Sequence, residues 1–125
     1  MVLKNQKRIV VVEDSGSIRE AIAFALQKSG FEVSPAANGL EATELLEGGK
    51  FDLVLTDYHM PEMNGLELIR WVRAKEQYKR IPILVLTTEN RRDVILQARQ
   101  TGASGWIPKP FESEKLIQTI RRFIR

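Results

Sequence analysis

The chain has 125 residues, 43% hydrophobic and 28% charged, which suits one soluble globular domain with a real core. It contains no cysteine, so disulfide frameworks, thiolate metal sites and thiol nucleophiles are excluded. The net charge of +3 is uneven: residues 91–125 hold eight Lys/Arg against three Asp/Glu, and residues 1–90 hold eleven against thirteen.

Arg8–Val12 is a short β-branched apolar run and reads as a strand buried on both faces. From Ser15 to Ser29, Ile18, Ile22 and Leu26 with Ala21 and Ala25 recur at helical spacing, and Gly30 stands where a C-terminal cap belongs. Phe31–Ala36 is a weaker strand whose Pro35 fits a sheet edge. Asn38 with Glu41 marks a helix start, and Leu45 and Leu46 carry that helix to Gly48 and Gly49. Phe51–Thr56 is a third strand, and Asn64 with Glu67 opens a helix through Leu66, Leu68, Ile69, Trp71 and Val72. Ile83–Leu86 is a fourth strand. Asn90 with Asp93 opens a helix through Val94, Ile95 and Ala98 to Gly102. Ser104–Ile107 is a short fifth strand, with Pro108 suiting an edge, and Leu116, Ile117, Ile120, Phe123 and Ile124 form a last amphipathic helix.

Five strands alternating with five helices through short loops predict an α/β fold, a doubly wound parallel sheet with helices on both faces. Right-handed crossovers leave the order 2-1-3-4-5, the flavodoxin-like arrangement, as the common solution at this length. Residues 1–125 read as a single domain without repeats or linkers. No apolar run is long enough to span a bilayer, and the first eight residues lack a signal peptide's apolar segment, so a cytoplasmic protein without membrane insertion is expected. The basic last third suits an acidic protein partner or a solvated face better than direct nucleic-acid binding, because no aromatic residues are interleaved with it.

In such sheets the functional crevice lies beyond the C-terminal strand ends. The first strand runs into Glu13-Asp14, the third into Asp57, the fourth into Thr87-Thr88 and the fifth, past a proline, into Lys109-Pro110. A lone Asp57 would read as a turn cap, and the set as a salt-bridge network. Yet carboxylates about 4 Å apart repel by roughly 4 kcal/mol at an effective dielectric near 20, so the cluster requires positive charge. Oxygen-only ligands suit Mg²⁺, and a lone lysine suits an anion, so the set reads as an Mg²⁺ site adjoining a phosphoryl slot.

The segments "VVVEDS" (10–15), "LVLTDYHMPEMNGLEL" (53–68), "ILVLTTE" (83–89) and "GASGWIPKPF" (102–111), in this order, resemble the receiver domain of bacterial two-component response regulators, the single-domain CheY-like type. The resemblance covers roughly residues 8–124. It implies a signalling switch that promotes only its own phosphorylation and dephosphorylation, rather than an enzyme acting on a separate substrate. Asp57 would accept the phosphoryl group from a sensor histidine kinase, a phosphotransfer protein or a small phosphodonor. Asp14, Asp57 and the backbone carbonyl of His59 would bind Mg²⁺, and Glu13 would hold metal-bound water. Thr87 and Lys109 would contact phosphoryl oxygens, with the Lys109-Pro110 bond cis. Thr87 and Trp106 would switch, changing affinity for a downstream protein target through the face formed by the fourth helix, fifth strand and fifth helix.

This chain departs from the chemotaxis proteins of the family in beginning its acidic pair with Glu13 rather than Asp, and Trp106 stands where Tyr or Phe is more usual. Pro108 removes a donor, so the end of the fifth strand is expected to pair differently. Trp106 also reads as a half-buried edge residue. His59 and Glu89, each two residues past a site group, are lifetime modulators by resemblance and plain loop or helix-start residues otherwise. Arg91, Arg92, Arg99, Lys115, Arg121, Arg122 and Arg125 are expected to give the output face its basic character. The competing reading is a receiver fragment of a larger regulator with a DNA-binding or enzymatic output domain. A hydrolase or flavin binder on the same fold fits poorly, because "EDSGS" is acidic where a flavin phosphate needs donors.

Overall fold

A computed structural model describes residues 6–60 and 63–124. Pro61 and Glu62 of the second motif, and Arg125 of the basic set, lie outside the described residues. The elements are β1 (Arg8–Val12), α1 (Gly16–Lys28), β2 (Glu32–Ala36), α2 (Gly39–Gly48), β3 (Leu53–Asp57), α3 (Gly65–Ala74), a 3₁₀ turn (Glu76–Tyr78), β4 (Ile83–Thr87), α4 (Arg92–Thr101), β5 (Gly105–Pro108) and α5 (Ser113–Phe123). All pairings are parallel, and the sheet order is β2-β1-β3-β4-β5, the expected one.

Strand side chains alternate between two cores. Val10, Val12, Val54, Ile83 and Val85 pack with Leu46, Leu68, Ile69 and Val72 of α2 and α3. Ile9, Val11, Leu53, Leu55, Leu84 and Leu86 pack with Ile22 and Leu26 of α1 and Leu116 and Ile120 of α5. Burial of each such Leu or Ile contributes about 1.5–3 kcal/mol, so both faces of the sheet hold the strand tips in register.

Local chemistry sets the element ends. Asn38 and Asn64 accept the amides of Glu41 and Glu67, both at 2.9 Å, and Glu67 returns a bond to the Asn64 amide, completing a capping box. Gly30 adopts φ 97° just past α1, the left-handed conformation that glycine reaches without strain.

Four expectations are corrected. β3 begins at Leu53, because Phe51 instead packs beneath the Arg8 guanidinium, 4.5 Å from its ring centre. β5 begins at Gly105, because the Ser104 hydroxyl accepts the Ile83 amide at 3.0 Å, and it runs on through Pro108. Pro108 pairs with Thr87, and the Lys109 amide reaches the Thr87 carbonyl at 2.8 Å, so the proline does not disturb the strand end on this edge. Asn90 caps nothing: α4 starts at Arg92, its cap residue Arg91 makes no side-chain capping bond, and the Arg91 amide is taken by Glu89 at 3.0 Å.

The 3₁₀ turn has no counterpart in the sequence reading. It is anchored by the buried Tyr78, whose hydroxyl lies 2.7 and 2.8 Å from the carbonyl oxygens of Leu46 and Gly49. Arg73 ties this turn to the far end of α4. Its Nε and Nη2 donate to the Gly102 carbonyl at 3.0 and 2.8 Å, and Nη1 donates to the carbonyls of Tyr78 and Lys79 at 3.1 Å.

Candidate functional site

Register brings the site together. Val12 pairs with Thr56, Asp57 with Leu86, and Thr87 with Pro108, so the residues at or just past these tips converge on one sheet edge. Backbone bonding continues beyond the ladders. The Glu13 amide reaches the Ala36 carbonyl at 3.0 Å, and the Tyr58 amide the Leu86 carbonyl at 3.2 Å. The reactive side chains therefore stand on backbone that is fixed on both sides.

Glu13 and Asp57 are buried, 1% and 6% exposed, and Asp14 is exposed. One carboxylate oxygen from each lies within 4.8 Å of the others, a potential metal-ligand set. Lys109 Nζ bridges the two buried acids, 2.9 Å from Glu13 Oε1 and 3.3 Å from Asp57 Oδ2. The second Glu13 oxygen accepts the Ser15 amide at 3.0 Å. Arg19 donates to the Glu13 carbonyl at 2.7 Å, a contact the sequence reading did not foresee.

Burial raises the Glu13 pKa above its ordinary value of 4.5, and the nearby Asp57 charge adds to this, while bonds from Ser15 and Lys109 oppose it. Burial alone would lower the Lys109 pKa, but its hydrogen bond to Glu13 and the charges of Asp57 and Glu13 together raise it above 10.5. A folded-state carboxyl with a raised pKa stabilises the fold below 4.5 and loses that contribution as pH rises through the folded value. The Glu13→Gln variant should therefore gain on the native protein in metal-free stability as pH rises from 4.5 toward neutral. Paired urea titrations across that window check this; a constant difference would contradict it.

Geometry around the acceptor strand is tight. Gly65 opens α3 against the β3 tip, its amide bonded to the Tyr58 carbonyl at 2.9 Å. A side-chain carbon there would stand 3.0 Å from both the Asp57 carbonyl oxygen and Tyr58 Cα, so glycine permits the approach. His59 is exposed, and its ring lies edge-on to Tyr58 at 4.8 Å between centres. Trp106 is half-buried, its ring tilted 50° against Tyr58 at 6.0 Å. Tyr58 thus separates the only histidine from the aromatic of β5, a link invisible in the sequence.

Thr87 is buried, and its hydroxyl oxygen accepts the Glu89 amide at 3.0 Å. Glu89 Oε1 accepts both the amide and Nε of Arg91, each at 3.0 Å. Those bonds hold the Glu89 carboxyl pKa below 4.5. Arg91, grouped in the sequence with the basic residues of the output face, is thus committed locally. Others of that group are also engaged: Arg121 donates to the Ser29 carbonyl at 3.2 Å, and Lys115 stands 3.5 Å from Glu112. The Lys109-Pro110 bond is cis. Beside it, a groove of about 480 Å³ lined by Ser17, Ile18, Ala21, Thr88, Lys109, Pro110 and Phe111 leads to the lysine.

The donor set is oxygen-only, with one ammonium across it, and carboxylates that need neutralising. That chemistry fits a hard divalent cation with several retained waters.

Residues 9–121 match the family model described as the response regulator receiver domain. The chain is 38% identical to the chemotaxis protein CheY of Pseudomonas aeruginosa, over 92% of this chain and 94% of that protein. Among solved structures, the chemotaxis response regulator CheY4 of Vibrio cholerae superposes with a TM-score of 0.92 at 39% identity, covering 96% of this chain and 100% of that one. The receiver domain of sensor histidine kinase PA1611 from P. aeruginosa, which holds a magnesium ion in its active-site cleft, gives 0.87 at 28% identity, covering 95% and 98%.

Proposed function

The chain belongs to the response regulator receiver domain family, and from that premise we propose that Asp57 is its phosphoryl acceptor. Domains of this family are phosphorylation-activated signalling proteins that hold a divalent metal in the acidic pocket and interact with histidine kinases and downstream targets. The finer assignment rests chiefly on one observation: the Lys109 ammonium sits between Glu13 and Asp57, at the edge of a three-carboxylate set.

An Asp57 carboxylate oxygen attacks the phosphorus of a phosphohistidine or small acyl phosphate. The new P–O bond forms as the P–N or P–O bond of the donor breaks, and the donor leaves with its electron pair. Glu13, Asp14, Asp57 and the His59 carbonyl would hold the cation, which when bound neutralises charge on the transferring group. Magnesium is the natural choice on ligand chemistry, supported by the ion in the PA1611 receiver. Lys109 then exchanges a carboxylate partner for a phosphoryl oxygen, and Thr87 donates its hydroxyl to another. That movement and repacking of Trp106 against Tyr58 bias the face of α4, β5 and α5 between two arrangements. His59 and Glu89 flank the path of attacking water and set the lifetime. No described helix is long and apolar enough to cross a membrane.

The test is direct. Acetyl phosphate with Mg²⁺ should add one phosphoryl mass, mapped by peptide analysis to Asp57, and chelation should remove the reaction. Labelling at another residue, or undiminished labelling in chelator, would overturn the assignment.

A further inference from the structure

The turn between β4 and α4 is shaped by two successive local rings. Thr87 Oγ1 accepts the Glu89 amide, and Glu89 Oε1 accepts both Arg91 donors, all at 3.0 Å. Thr87 is buried, the Glu89 side chain is 15% exposed, and Arg91 is 68% exposed, so the chain of contacts runs from the site edge out to solvent. Asn90, which could have capped the helix, takes no part, so Arg91 fixes the orientation of Glu89.

We propose that Arg91 is a positioning residue: by pinning Glu89 it keeps the Thr87 hydroxyl on the Glu89 amide and so favours the unphosphorylated arrangement. The proposal rests on the reading of Asp57 as acceptor and Thr87 as its partner. Thr87 keeps its O–H to donate while its oxygen accepts, so what the Glu89 amide holds is the place of that oxygen, and an approach to a phosphoryl oxygen on Asp57 draws it away from the amide. That amide follows its own side chain, which Arg91 holds at two points. The same grip fixes the Glu89 carboxylate through Oε1, which takes both donors. Opening the latch therefore makes the competent arrangement commoner. The apparent affinity for a phosphoryl mimic rises with the fraction of molecules already competent.

The sign of the effect separates this role from simple electrostatics. Arg91 is cationic, and removing a positive charge near an anion site should weaken anion binding. Releasing a latch should strengthen it. The experiment measures beryllofluoride affinity with Mg²⁺ by fluorescence or NMR titration, together with hydrogen exchange at the Glu89 amide. In Arg91→Ala, binding should tighten about two- to fivefold, the range expected for an exposed ion pair, and the Glu89 amide should exchange faster. Arg91→Lys, which keeps the charge and the backbone bond but lacks Nε, should fall between the two. In a Thr87→Ala background the Arg91→Ala substitution should have no further effect on affinity. Unchanged or weaker binding by Arg91→Ala, or tightening that persists without the Thr87 hydroxyl, overturns the latch. A native protein that takes up no beryllofluoride overturns the acceptor reading and the latch with it. Native binding with an inert Arg91→Ala removes the latch alone.

Discussion

Asp57→Asn should accept no phosphoryl group and yet unfold at a higher temperature than the native protein in metal-free buffer. The first half follows from chemistry: a neutral carboxamide has no anionic oxygen to attack phosphorus, and no other described acid stands between Lys109 and the third strand tip in the same way. The second half follows from charge. Asp57 is 6% exposed and shares its oxygen cluster with Glu13 and Asp14, against one ammonium. Each carboxylate pair at about 4 Å repels by roughly 4 kcal/mol at an effective dielectric near 20, and loss of the Lys109 contact offsets most of what is relieved. A net gain of about 1 kcal/mol is expected, since Lys109 retains Glu13 as its partner. Mg²⁺ should then raise the unfolding midpoint of the native protein more than that of the variant. Intact-mass analysis after phosphodonor treatment and parallel thermal scans check both halves. A variant that labels normally removes Asp57 as acceptor, and one that unfolds earlier shows that the attraction to Lys109 outweighs the repulsion.

Lys109→Met should produce the largest loss of stability of any site substitution. It leaves Glu13, 1% exposed, and Asp57 without the ammonium 2.9 and 3.3 Å away. Breaking one partner of a buried pair typically costs about 3–5 kcal/mol, and protonation of Glu13, already favoured by burial, keeps the loss near the lower end. The sign with pH is fixed by the two shifts. The Lys109 contribution is complete below 10.5 and is lost as pH rises through its higher folded value. The uncompensated Glu13 charge in the variant disappears as pH falls toward 4.5. The deficit should therefore be largest at neutral pH, shrink in mild acid, and shrink again when Mg²⁺ supplies the missing charge. Urea unfolding at both pH values, with and without Mg²⁺, measures it. A deficit indifferent to pH and metal would mean that the lysine's methylene chain matters through packing instead.

How far the sequence foretells this molecule depends on the range of the interaction. Asn38 and Asn64 were readable because an N-cap bond reaches only three residues along the chain and needs only local backbone. The convergence of Glu13, Asp14, Asp57, Thr87 and Lys109 was readable because a parallel doubly wound sheet has few topologies and collects its strand ends at one edge. Asn90 misled because the chain does not enter the helix at that point: Glu89 takes the Arg91 amide and α4 opens at Arg92, a course set by the loop. The grip of Arg91 on Glu89, the tilted contact of Trp106 with Tyr58 and the reach of Arg73 were hidden for a related reason. Each joins side chains whose meeting is decided by tertiary packing, and composition registers such residues only as charge or bulk.

The Arg73 contacts have a mechanical consequence for α4. That helix buries only Val94 and Ala98 among its ten residues, and its leading end lacks a side-chain cap. Its trailing end is riveted through Gly102 to the 3₁₀ turn and α3. Displacement along the helix is therefore expected to be graded, as for a lever with its fulcrum at the last turn. A small tug at the Thr87 end then swings the leading turn most, while the sheet beneath stays at rest.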